Sequence, residues 1–245
     1  MRNRKAVTAV AFAAAAALAL SACGSDGDKA GSTSIADVEA SPKTKAATVL
    51  DQEFTKPDLV LTDTDGKKYD LREATKGKPT LIYFGYTNCP DVCPLTMSNI
   101  SVAKRDLPKA DQEKLQVVFV TTDPERDTPA SLGTWLKAQD PSFVGLTGDF
   151  PAIQAAARQI GIGIEPATKE KDGTVVSMHG AQVVAFSPKT DGGYVLYGEN
   201  TTAEEYAKDL PKLIEGRTRE PPHDPRRRPR PHHWADAGGV LHGQR

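Results

Sequence analysis

The chain has 245 residues, room for one domain of ordinary size with segments to spare, and its 31 basic and 32 acidic residues leave a formal net charge of −1. That balance is uneven: three basic residues fall in the first 22 positions and seven, with three acidic ones, follow Gly216, so residues 23–216 hold 21 basic against 29 acidic residues, a net charge of −8. A surface of that sign excludes nucleic-acid binding as the leading function, because phosphate contacts need a basic face.

In chain order, Arg2, Arg4 and Lys5 precede an uncharged Ala/Leu-rich run from Ala6 to Leu20, which ends in Leu20-Ser21-Ala22-Cys23. A basic start, an apolar run of this length and small residues before a cut make a secretory signal. A spanning helix would need about 20 apolar residues. The ending resembles the lipobox of bacterial lipoproteins, which implies that residues 1–22 are removed and that Cys23 becomes the lipidated first residue of an extracytoplasmic protein anchored to the membrane. The other reading is an ordinary signal with a chance cysteine near the cut. Residues 23–53 are rich in Gly, Ser, Ala, Thr, Asp and Lys and read as a flexible spacer. Residues 54–216 carry regular apolar runs and read as the folded domain, and residues 217–245, rich in Arg, Pro and His, read as a disordered tail.

Within the domain, DLVLT and KKYDL flank a turn at Asp63-Thr64-Asp65-Gly66 and predict a hairpin. PTLIYFGY, Pro79 to Tyr86, predicts a buried strand, followed by a helix over about 95–107 with Leu95, Ile100, Val102 and Leu107 as its apolar candidates. LQVVFVT, Leu115 to Thr121, predicts a second buried strand, and Thr128 with Pro129 predicts the cap and first position of the next helix. FPAIQAAARQIG predicts a helix closed by glycine, HGAQVVAFSP and YVLYG predict two strands joined by a turn, and AEEYAKDLPKLIE predicts a last helix interrupted by its proline. This order predicts an α/β thioredoxin-like fold, a central mixed β-sheet flanked by helices with an N-terminal β-hairpin.

Besides Cys23 the chain has two cysteines, in Thr87-Asn88-Cys89-Pro90-Asp91-Val92-Cys93-Pro94, with three residues between them where thioredoxin-like redox pairs have two. Pro94 lacks an amide hydrogen and is tolerated in the first turn of a helix, so the following helix is expected to start near Cys93. The helix dipole and open amides there favour a thiolate at Cys93. At this spacing the sulfurs converge either on a soft ion, Cu(I) being the one thiolates select, or on each other as a disulfide. A metal needs a further ligand. His223, His232, His233 and His242 lie in the tail, which leaves His179 in the domain.

GYTNCPDVCPLTM, then VTTDPERDTP, then one downstream histidine before an apolar strand resemble the Sco/SenC family of copper proteins. The resemblance implies that Cys89, Cys93 and His179 bind one copper ion, Cu(I) or Cu(II). It implies delivery of copper to the binuclear CuA site on subunit II of cytochrome c oxidase, or reduction of that site's cysteines by Cys89 and Cys93 acting as a redox pair. It names no copper donor. Asp123 matches the first aspartate of the family's D-P-E-R-D-T-P and is expected either beside the metal ligands or as a turn residue before Pro124. Many members have aspartate directly before the histidine, where this chain has Met178; Met178 and Met97 are read as core packing. The tail is not part of the family pattern. Metallochaperone and thiol–disulfide reductase are the two functional classes, and the domain histidine favours the first.

Overall fold

The computed structural model describes residues 47–217, without 172–174 and 179 and without the side chains of 176–178. Cys23, the expected signal peptide, the tail and His179 lie outside the described residues. The expected spacer reached residue 53, but Ala47–Thr55 form a strand, β1, so the domain starts earlier. No helix among the described residues is long and apolar enough to cross a membrane.

The centre of the sheet is made by two continuously apolar segments. Strand β4 (Thr80–Gly85) is buried throughout and β5 (Gln116–Thr121) at all but its first residue. They pair in parallel, with Ile82 beside Val118 and Phe84 beside Val120, and strands covered on both faces require such unbroken runs. Side chains alternate along a strand. Leu81, Tyr83, Val117 and Phe119 therefore join one apolar layer, and Ile82, Phe84, Val118 and Val120 the opposite one.

The rest of the sheet comprises the hairpin β2 (Val60–Asp63) and β3 (Lys68–Asp70), then β6 (Val144–Thr147), β9 (Val183–Phe186) and β10 (Gly192–Tyr197). The order is β1-β10-β9-β4-β5-β6-β2-β3, parallel across β4-β5-β6 and antiparallel elsewhere. Strands β7 (Glu165–Lys169) and β8 (Val175–Met178) form a separate two-stranded ribbon. The result is the expected thioredoxin-like α/β fold with a mixed sheet.

Helices α2 (Val92–Arg105), α4 (Pro129–Gln139) and α6 (Ala203–Ile214) cover the Tyr83 face, and α1 (Leu71–Ala74) and α5 (Phe150–Gln159) the other. The short α3 (Lys109–Lys114) buries no residue. Thr128 caps α4 ahead of Pro129, and α5 is followed by Gly161 at φ 74°, the left-handed geometry that ends a helix. Two expectations are corrected. In α2, Ile100 is buried but Leu95 and Val102 are 56% and 36% exposed, and the inward residues are Cys93, Thr96, Met97, Ile100, Ser101, Ala103 and Lys104. Helix α6 runs through Pro211 without a break. A capping box between Thr202 and Glu205 and the burial of Tyr206, Leu210 and Leu213 offset the lost backbone bond.

Candidate metal centre

Cys89 and Cys93 lie at the carboxyl ends of the parallel strands β4 and β5, where open α/β sheets gather their ligands. After Gly85 the chain turns so that Cys89 N–H donates to Tyr86 O at 3.2 Å. Asp91 then caps α2, its carboxylate accepting from Val92 N–H at 2.6 Å. The helix thus begins one residue before Cys93, as Pro94 requires. Cys93 N–H donates to Cys89 Sγ at 3.4 Å, and neither cysteine is in a disulfide. Cys93 is 0% exposed and Cys89 7%, so Cys89 is the more accessible of the two residues.

Burial pushes the Cys93 thiol up to about 12, although the Tyr83 hydroxyl and the Tyr86 backbone N–H pull the other way. This corrects the expected thiolate at Cys93. The amide at the mouth of α2 serves the sulfur of Cys89, while Cys93 sits behind it in the apolar layer. The Tyr83 hydroxyl donates to Cys93 Sγ at 3.4 Å, and burial raises the pKa of Tyr83 far above the usual tyrosine range. Tyr86 is raised as well, by burial first and then by the charge of Cys89.

Gly85 makes room for this arrangement. A Cβ there would stand 2.7 Å from Tyr83 Cε1 and 2.9 Å from Cys93 Sγ, closer than real side chains approach.

The loop after β5 is tied to the cysteine loop by Asp127, not Asp123. Asp127 is 0% exposed. Its Oδ1 accepts from Thr87 Oγ1 at 2.5 Å, and its Oδ2 accepts from Thr87 N–H at 3.0 Å and Thr121 Oγ1 at 2.6 Å. The Asp123 carboxylate instead holds Arg126, and its backbone carbonyl accepts from Arg126 and Asp127 N–H at 3.2 and 2.9 Å. Asp123 therefore shapes the turn. Asp127 is visible in sequence as the second aspartate of D-P-E-R-D-T-P, but nothing in the spacing distinguishes it from the first.

Among the described residues no group of three histidine, cysteine, aspartate or glutamate side chains is placed to hold a metal ion. The structure brings together two of the three expected ligands. The third, His179, falls outside the described residues, between the end of β8 at Met178 and the buried Gly180. Farther along, Val183 is the lateral partner of Tyr83, so the segment leading into β9 enters the sheet at the end that carries the cysteines. Met97 is fully buried in the core beside the pair, as expected.

The sequence model of the SCO1/SenC family matches residues 47–215. The chain belongs to the SCO1/SenC family. Among solved SCO1/SenC relatives, a copper-bound ScoI of Bradyrhizobium japonicum is 36% identical at a TM-score of 0.58, over 65% of this chain and 99% of that one. An apo Sco1 of Thermus thermophilus is 31% identical at a TM-score of 0.61, over 70% and 98%. The mitochondrial SCO1 homolog of Mus musculus is 34% identical over 136 residues, 55% of this SCO1/SenC chain and 47% of that protein. The chain spans about half the length of the mouse relative, and from 33% to 68% of other curated relatives.

Proposed function

We propose that this chain carries one copper ion as cargo, held as Cu(I) by the Cys89 and Cys93 sulfurs and the imidazole of His179, and passes it to the CuA site on subunit II of cytochrome c oxidase. The observation that carries the proposal is the pair itself: two buried cysteines outside any disulfide, one sulfur within 3.4 Å of the other residue's amide, at the carboxyl ends of parallel strands. Two soft thiolates and an imidazole suit Cu(I). The entry of β9 next to Tyr83, four residues after His179, supports the choice of third ligand. Lipidation of Cys23 would keep the domain on the outer side of the membrane, where the acceptor's soluble part is within reach of a tether. In that reading Cys23→Ala releases the chain from membranes, and continued membrane association refutes it.

The deciding experiment is Cu(I) titration of the reduced full chain carrying Cys23→Ser, so that every thiol counted belongs to the pair. One equivalent binds tightly, Cys89→Ser with Cys93→Ser abolishes that binding, and His179→Ala weakens it by at least tenfold. Equal affinity with and without His179 removes the three-ligand site.

The unequal exposure of the two sulfurs favours a second reading, reduction of the acceptor's disulfide. The Cys89 thiolate attacks one partner sulfur and the other leaves as a thiolate. Cys93 then displaces the mixed disulfide, so that two electrons pass to the partner and Cys89 and Cys93 become joined. An exported dithiol reductant must restore the pair. A double-serine variant that still reduces an oxidised acceptor excludes this reading.

A further inference from the structure

Tyr83 is placed on Cys93 by three separate constraints. As a β4 residue it is flanked laterally by Phe119 and Val183. Its ring tilts 59° against that of Phe119 with centroids 5.8 Å apart, and its side chain is 1% exposed. Gly85 leaves vacant the volume in which the ring edge and the Cys93 sulfur meet, since a Cβ there would touch both below 3.0 Å. A buried tyrosine normally needs a partner for its O–H. In the same apolar layer the Tyr206 hydroxyl is buried with no hydrogen bond, so this core does not match every hydroxyl it covers. That of Tyr83 is matched, to a sulfur at 3.4 Å.

Building on the reading that Cys93 is a copper ligand, we propose that Tyr83 is a positioning residue that sets the donor strength of Cys93 and so tilts the site toward Cu(I). A hydrogen bond to a thiolate draws electron density from the sulfur. It lessens donation to the metal, and Cu(II) loses more by that than Cu(I). Hydrogen bonding around a cysteine sulfur is a recognised lever on the potential of a copper site, and outer partners of ligands tune metal affinity. The lever is strong here because the bond lies in the apolar interior, where screening is weak. The hydroxyl is held at the sulfur by a residue of the central strand β4.

The test uses the full chain with Cys23→Ser, loaded with Cu(II) chloride or with Cu(I), as parent, Tyr83→Phe, Tyr83→3-fluorotyrosine and Tyr206→Phe. In Tyr83→Phe the sulfur-to-Cu(II) charge-transfer band moves to longer wavelength. The preference for Cu(I) over Cu(II), taken as the ratio of dissociation constants, falls roughly threefold to tenfold, less than a whole bond to a charged acceptor because both oxidation states keep the bond in the parent. Fluorination makes the hydroxyl a stronger donor and moves both readouts the opposite way, which a merely structural role would not do. Tyr206→Phe moves neither. A band and ratio unchanged in both Tyr83 variants, or shifted equally by Tyr206→Phe, overturns the proposal. A parent chain that fails to bind one copper defeats instead the ligand reading on which it rests.

Discussion

Removing the Asp127 side chain tests whether the two loops at the top of the sheet are held as one unit. Asp127→Ala leaves Thr87 N–H, Thr87 Oγ1 and Thr121 Oγ1 without their acceptor, in a place that is 0% exposed. Each bond to a charged acceptor is worth about 1.5–3 kcal/mol, so the gross loss is about 4.5–9 kcal/mol. Part returns, because a carboxylate no longer has to be held out of water, and breaking a buried charged arrangement nets about 3–5 kcal/mol. With a urea dependence of about 2 kcal/mol/M for a domain of this size, the unfolding midpoint falls by about 1.5–2.5 M. Asp123→Asn is the comparison. Its carboxylate is 2% exposed, but asparagine keeps an oxygen in the same place to accept from Arg126, whose side chain is 32% exposed, so the loss is that of one charge, about 1 kcal/mol or less, a midpoint shift of under about 0.5 M. Urea melts of the metal-free full chain followed by tryptophan fluorescence measure both. If Asp127→Ala is too unstable to purify, Thr87→Val deletes one of the three bonds and lowers the midpoint by about 0.75–1.5 M. Equal shifts at Asp123 and Asp127, or no shift in Thr87→Val, would refute the reasoning.

Iodoacetamide modifies Cys89 before Cys93 in the native metal-free chain, since Cys89 is 7% and Cys93 0% exposed, and peptide mapping over time that showed the reverse order would contradict the geometry. Burial holds the Cys93 thiol at about 12 against a usual 9.0, so on raising the pH the unfolded chain gives up that proton first. Stability present below about pH 9 is therefore lost between about pH 9 and 12, and thermal melts of the metal-free chain fall in temperature over that window, with a shallower fall in Cys93→Ser. On α2, Leu95→Ala costs under about 0.5 kcal/mol and Ile100→Ala about 2–5 kcal/mol by urea melts; similar costs at both would mean the exposed and buried faces are misassigned.

Much of the fold was legible because its centre is written in unbroken apolar runs. Thr80–Gly85 and Gln116–Thr121 have no reading other than buried strands, and Thr128-Pro129 signals a helix start with a mechanism of its own. What escaped is what depends on tertiary partners. Strand β1 is half polar with only Ala47 buried and is held by its pairing with β10, and β6 is four residues long with a glycine inside. Strand β7 is exposed at all five positions, including a proline, and carries no apolar pattern to find. The phase of α2 was misjudged because Leu95 and Val102 are the more hydrophobic choices, whereas the helix is clocked by Cys93, which must face Cys89. In the site, the cysteine pair was evident from spacing and Pro94. The protonation of Cys93 was not, since the dipole argument sees the helix mouth and misses the apolar layer behind it. Choosing Asp127 over Asp123 required knowing that Thr87, forty residues upstream, sits opposite it.

The bare glycine at the end of β4 bears on transplantation. Gly85, Cys89 and Cys93 stand at equal intervals of four, and the second sulfur occupies the volume that a side chain at the first of these positions would claim. Copying the cysteine motif alone onto another strand-to-helix turn would therefore force the sulfur out of its berth. The portable unit begins at the glycine and includes the tyrosine two residues before it, a segment that spans from Tyr83 to Cys93.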